Sequence, residues 1–286
     1  MIKLFTDTSA NLPVSLTDKY SVAVVPFTYT VNGESLPQHP SGDFNGESFY
    51  EAMRQGSAVK TSMVNAADFT EAFEKALSGG DDVLYVGMSG GISGTAQAAS
   101  FAAGELKEKY PERKIAAVDT LAASLGEGLQ VLEAARMIQD GAGFEEVRDR
   151  LLEKRNTMCQ YFTVDDLKYL KAGGRISSAA AVVGTLLQIK PLLTGDAEGR
   201  IVSCGKARGR KAALTALADK YAELCADKND GAGIAHADSA ADADFLENEL
   251  RSRGFTGECL KVMYEPVTGS HVGPGTVALF FNGIHK

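Results

Sequence analysis

The residues best placed to do chemistry in this chain are hydroxyls set among glycines. Residues 87–95 read GMSGGISGT, where the apolar run 83–86 ends and an alanine-rich stretch begins. Such a loop offers backbone N–H groups, Ser and Thr hydroxyls and a helix N-terminus to an anion. Three chemistries compete for it. A nucleotide loop is disfavoured, because neither GxGxxG nor GxxxxGK[ST] is present. A nucleophile elbow is the rival reading: Gly87, Ser89 and Gly91 satisfy GxSxG, and His236 and His271 lie downstream, as in a serine hydrolase of the esterase or lipase type. Five residues separate Ser89 from the helical stretch, however, where an elbow needs the helix almost at once. The third reading is a binding loop in which Ser93, at or near the helix N-cap, turns its hydroxyl to a carboxylate or phosphate. Plain capping explains the same serine.

Two further clusters favour gripping over cutting. KTSM, residues 60–63, precedes a helix that Asn65 can cap, and TGSHVGPGT, residues 268–276, sets His271 between two small-residue turns. Taken singly, Thr61 and Ser62 are turn residues and His271 is a core histidine with satisfied ring nitrogens. Together, with no metal-ligand spacing and no paired carboxylates in the sequence, the three clusters point to a site without turnover.

The elements that must hold these clusters alternate. Strands are expected over 2–7, 22–31, 83–87 and 114–119. Helices are expected over 47–55, 66–77, 95–110 (stopped by Pro111), 124–141 and 144–155. This is the pattern of a parallel sheet with helices on both faces, an N-terminal domain over 1–157. Residues 158–286 read as a second α/β domain on a mixed sheet. It has a strand and short helix over 161–174, an apolar helix over 179–190 ended by Pro191, and a hairpin around Gly195–Gly199. Helices over 211–226 and 240–254 and strands over 231–237, 259–267 and 276–283 complete it.

Composition excludes several classes. The 286 residues are 44% hydrophobic and 23% charged, with no apolar run long enough to span a membrane. The start carries no apolar signal region, and Cys159, Cys204, Cys225 and Cys259 are too scattered for a disulfide framework or a metal site, so a reduced, cytoplasmic protein is expected. A net charge of −8 argues against nucleic acid as a partner. The charge is uneven: Lys168, Lys171, Arg175, Lys190, Arg200, Lys206, Arg208, Arg210 and Lys211 face only Asp196 and Glu198 within 168–211. That stretch is either a solvated face or a docking surface for an acidic partner or a phosphate.

The landmarks IKLFTDTSANLP, KTSM, GISGTAQAA, AVDT with LGEG, LKYLKAGGRIS, IKPLL with GRI, GKARGRKAAL, HAD and GSHVGPGT, in this order and spacing, resemble the DegV family of bacterial fatty-acid-binding proteins from end to end. The resemblance implies a long-chain fatty acid in a buried tunnel at or near the domain junction. It implies the acyl-binding subunit of a fatty acid kinase: not itself an enzyme, without cofactor or metal, presenting a carboxylate to a separate ATP-dependent partner. Head-group contacts fall on Thr61 and Ser62 in the T-S stretch, on Ser93, Gly94 and Thr95 in the S-G-T stretch, and on His271 in H-x-G-P-G. Arg175 in GGRI matches an arginine tied to productive interaction with the kinase, and Arg208 in KARGRK another basic position. Two departures stand out: TSMVNAAD where the family often continues T-S with Gln-Pro, and TVALFF where a glycine is common after P-G-T.

Physics sets matching demands. Each buried methylene is worth about 0.8 kcal/mol, so some 15 of them supply roughly 12 kcal/mol before ordering costs. AAAVVGTLLQI and SFAAGEL are the stretches expected to wall such a tunnel. Neutral donors on Thr61, Ser93 and His271 would satisfy the carboxylate without a fixed counter-charge, which places Arg175 at the rim.

Overall fold

The computed structural model describes residues 1–36, 44–176 and 188–285. Up to residue 119 its elements are β1 (Ile2–Asp7), α1 (Val14–Lys19), β2 (Ala23–Val25), β3 (Thr28–Val31), β4 (Glu34–Leu36), α2 (Gly46–Arg54), β5 (Val59–Ser62), α3 (Ala66–Ser78), β6 (Asp82–Gly87), α4 (Thr95–Lys109) and β7 (Ile115–Asp119). Then follow α5 (Leu125–Gln139), α6 (Phe144–Lys154), β8 (Met158–Thr163), α7 (Lys168–Ala172), β9 (Ile189–Gly195), β10 (Ile201–Arg208) and α8 (Arg210–Leu224). The last are β11 (Ala232–His236), α9 (Ala240–Ser252), β12 (Cys259–Met263), α10 (Pro266–Val272) and β13 (Val277–Asn282).

Three sheets result. The order β2-β1-β6-β7 is wholly parallel. The order β10-β9-β8-β13-β11-β12 is mixed, antiparallel except where β11 meets β12. The expected pairing of a parallel and a mixed α/β sheet is therefore what forms. Helix α5 lies between them, touching β1 and β6 on one side and β8, β11 and β13 on the other. Glycine makes this possible at Gly128, where a β-carbon would stand 2.4 Å from the Ala10 carbonyl oxygen. Helices α3 and α4 cover the far face of the parallel sheet, and α8 and α9 that of the mixed one. Strand β13 is buried on both faces, so it reads as a continuous apolar run. Ala278 and Phe280 face the core around α5, and Val277, Leu279 and Phe281 face the outer core.

Several expectations are corrected. The run over 22–31 is two strands in different sheets, because Pro26 interrupts it and cannot donate to a ladder. Strand β3 turns instead into a small antiparallel sheet, β4-β3-β5, that carries KTSM and sets Thr61 opposite Tyr29. Pro191 does not end a helix but lies inside β9, opposite Lys206. The ladder to β8 there covers only Leu193 and Thr194, and a bulge follows at Ser203–Gly205, so no N–H is needed at 191. The apolar helix expected over 179–190 falls, up to residue 187, outside the described residues. The strand expected over 259–267 stops at Met263, and the presumed turn around His271 is helix α10, opened by Pro266. In SFAAGEL, Ala102 and Leu106 pack behind the parallel sheet with Phe5 and Phe73, and Phe101 is exposed. Among the described residues, no helix is long and apolar enough to cross a membrane.

Candidate functional site

Helix α10 is short, so its position depends on its cap. The Glu265 carboxylate accepts the N–H groups of Val267 at 2.5 Å and Thr268 at 2.7 Å, and Asn11 Oδ1 fixes the Glu265 N–H. The last turn then carries His271, whose Nε2 lies 2.9 Å from Thr61 Oγ1 on β5. The ring packs on Gly173, where a β-carbon would stand 2.3 Å from Nδ1, so only glycine admits it. Burial, and then the charge of Arg175, hold the imidazole down to about 4. His271 is therefore neutral at physiological pH.

Arg175 ties this corner to the glycine-rich loop. Its Nε donates to the Ile92 carbonyl at 3.2 Å and its guanidinium also donates to the Gly173 carbonyl. Among the described residues no acid pairs with it, and burial lowers its pKa from the ordinary arginine value. On the loop's other side Met63 lies over Gly94, so KTSM and GISGT are neighbours. Ser93 immediately precedes the α4 N-cap, Gly94. Its Oγ accepts the Thr95 N–H at 3.3 Å and bonds the Thr95 hydroxyl at 2.8 Å.

Beside this corner lies a cavity of about 70 Å³ between the two larger sheets. Its apolar wall includes Met88, Ile92, Ala122, Ala123, Phe162, Leu170, Ile201, Val272 and Phe280, and its polar groups belong to Ser124, Gln160, Arg175, Tyr264, Thr268 and His271. Met88 to Ser124 come from the first half of the chain and Gln160 to Phe280 from the second.

The predicted residues divide as follows. His271 and Arg175 line the cavity. Thr61 joins it through His271, and Ser93 through its neighbour Ile92; neither is itself part of the wall. Thr95 is buried beneath Ser93, Gly94 is exposed, Ser62 is exposed on β5, and Arg208 is exposed on β10 away from the cavity. The hydrolase geometry does not form. Ser89 is fully buried, donates its hydroxyl to the Gly199 carbonyl at 2.9 Å and accepts the Gly91 N–H. His271 is engaged by Thr61, and His236 Nδ1 accepts the Ser239 N–H. The basic stretch is also less free than its composition implies. Lys168, Lys190, Arg200 and Arg210 are ion-paired, three of them with Asp166, Asp165 and Asp242 from outside the stretch.

A buried group of carboxyls went unread in the sequence. Asp7 and Glu127 are joined by one hydroxyl: Ser9 Oγ lies 2.5 Å from Asp7 Oδ1 and 2.7 Å from Glu127 Oε2. Asp7 also receives Tyr85 O–H at 2.5 Å and the N–H groups of Ser9 and Met88, and Glu127 receives only Thr6 O–H besides. One hydroxyl hydrogen cannot fill both short contacts, so one carboxyl carries a proton. Asp7, with more donors, is the anion, and Glu127 is the acid that donates to Ser9. Burial raises both pKa values, that of Glu127 far more. Residues 118–121 apart in sequence leave no spacing signal for such a pairing.

A family model for DegV, described as uncharacterised proteins of the DegV family, matches residues 1–283. The chain belongs to the DegV family. A DegV domain-containing protein of Clostridium perfringens is 38% identical across 99% of this chain and 98% of its own length. Among solved structures, a DegV protein of Thermus thermophilus described by its fatty acid binding superposes with a TM-score of 0.88 at 34% identity, covering 99% of both chains. A hypothetical protein of Thermotoga maritima, described as revealing a fatty acid binding function, gives 0.84 at 30% identity over 99% of both.

Proposed function

We propose that this DegV protein binds a long-chain fatty acid in the cavity where its two lobes, 1–157 and 158–286, meet, and presents the carboxylate to a separate fatty acid kinase subunit in the cytoplasm. The observation that carries this reading is the neutral His271–Thr61 pair at one corner of an apolar cavity. A buried carboxylate needs donors. Thr61, His271 and Ser93 supply neutral ones, with Ser62, Gly94 and Thr95 shaping the two loops that hold them. Neutral donors leave the oxygen's charge available for attack on a phosphoryl group, which a bidentate arginine would not. The solved relatives described as fatty-acid-binding support the ligand class.

Denaturing the purified protein and weighing what it releases tests the ligand directly: one long-chain fatty acid per chain is expected, and none sinks the reading. Presentation to a kinase is a separate matter. Arg175, half-buried at the rim, and the exposed Arg208 are the cations proposed to meet the partner or its phosphoryl group. Arg175→Ala is expected to keep its lipid and to lose acyl phosphate formation with the kinase at least tenfold. A variant that loses its lipid instead would make Arg175, which lines the cavity, a lipid contact and not a contact for the partner.

A further inference from the structure

One hydroxyl in the cavity wall has no partner. Thr268 stands three residues before His271 on α10, hence on the same helix face. It is 9% exposed and lines the cavity, and its Oγ1 is buried without a hydrogen bond. Of the buried side-chain atoms in that condition among the described residues, it is the one on this cavity.

A helical threonine usually bonds the carbonyl three or four residues back. Nearby hydroxyls do so: Ser270 bonds the Val267 carbonyl and Thr276 that of Val272. For Thr268 those carbonyls belong to Glu265 and Tyr264. The first accepts the Gly269 N–H and the second the Tyr50 hydroxyl at 2.7 Å, and the Thr268 hydroxyl bonds neither. The Glu265 carboxylate lies close enough for the hydroxyl to lower its pKa, but the geometry between them is not that of a hydrogen bond. Valine has the same shape and would carry no such penalty, since an unpaired buried hydroxyl costs about 1–3 kcal/mol.

Counting hydrogens shows what the hydroxyl can serve. The neutral imidazole has one N–H, so the Thr61–His271 pair offers at most one hydrogen outward after its own bond. Ser93 and Thr95 likewise share one hydrogen between them and leave one. A carboxylate has about four lone-pair sites. We infer that Thr268 is a further donor to the ligand's carboxylate, beside the one hydrogen that each of the two pairs leaves free. This rests on the fatty-acid reading above.

Thr268→Val and Thr268→Ser test it, with delipidated protein titrated with oleic acid and melted in parallel. Thr268→Val is expected to melt no lower than the parent and to bind oleate five- to thirtyfold more weakly, and Thr268→Ser to bind within about threefold of the parent. Equal affinity of the valine variant and the parent would overturn the inference. So would weakened binding in both variants with a lowered melting temperature, which would make the role structural. If the parent itself takes up no oleate, the fatty-acid reading fails instead, a distinguishable result.

Discussion

Glu127 shows how much one proton can matter at a buried position. In the chain Glu127–Ser9–Asp7, the acid donates to the hydroxyl and the hydroxyl to the anion, so the fold holds a neutral carboxyl at a pH where water would ionise it. Its folded pKa lies well above the ordinary value. The sign follows: the proton's contribution to stability is complete below the ordinary carboxylate range and is lost as pH rises through the folded value. Glutamine keeps an N–H for Ser9 and an oxygen for Thr6 and does not titrate. The melting temperature of Glu127→Gln minus that of the parent is therefore expected to grow between pH 5 and pH 8. A difference that stays flat across that range would mean that Glu127 is ionised in the fold. Asp7→Asn places an amide against donors and is expected to lose about 2 kcal/mol at either pH.

At the scale of elements, the site depends on α10, a helix too short to persist without its cap. Glu265→Ala removes the acceptor of two first-turn N–H groups and is expected to cost about 1–2 kcal/mol in a denaturant melt. It should also weaken oleate binding, since Thr268 and His271 ride on the same turns. Unchanged binding would detach the cap from the site. Burial raises Glu265 to about 7, so its proton adds a further increment of stability that is lost as pH climbs through neutrality. This helix also marks the limit of what the sequence disclosed. Helices such as α3, with Asn65 as N-cap and Phe69, Phe73 and Leu77 buried, are legible because periodicity and capping agree. The span 266–272 has Gly, Ser and His where a longer helix would show a stripe, so turn chemistry outweighed the true signals, Glu265 as cap and Pro266 at N1. Pro191 misled for the converse reason, because whether a strand tolerates proline depends on neighbours the local sequence does not name. Thr61, Ser93 and His271 could be nominated as types, but the hydrogen bond that joins the first and last spans 210 residues and exists only through β5 and α10.

At the scale of the molecule, the cavity is where the two halves cooperate. Its wall takes Met88, Ile92 and Ala122–Ser124 from one and Phe162, Tyr264, Thr268, His271 and Phe280 from the other, with α5 packed between the sheets that carry them. A ligand seated there binds the native arrangement and not the unfolded chain, so it adds stability by mass action. At a thousand times its Kd that is about 4 kcal/mol. For chains of this size about 2 °C per kcal/mol gives a rise of roughly 8 °C in Tm over the delipidated protein. Adding oleic acid back to stripped protein should restore it, and a Tm indifferent to lipid would mean that nothing is buried there. Because the wall is shared, hydrogen exchange should slow on both sides at once, in the loops over 87–95 and 119–125 and along α10 and β13. Protection gained on one side alone would move the acyl chain out of the junction and away from the His271–Thr61 corner that the two halves share.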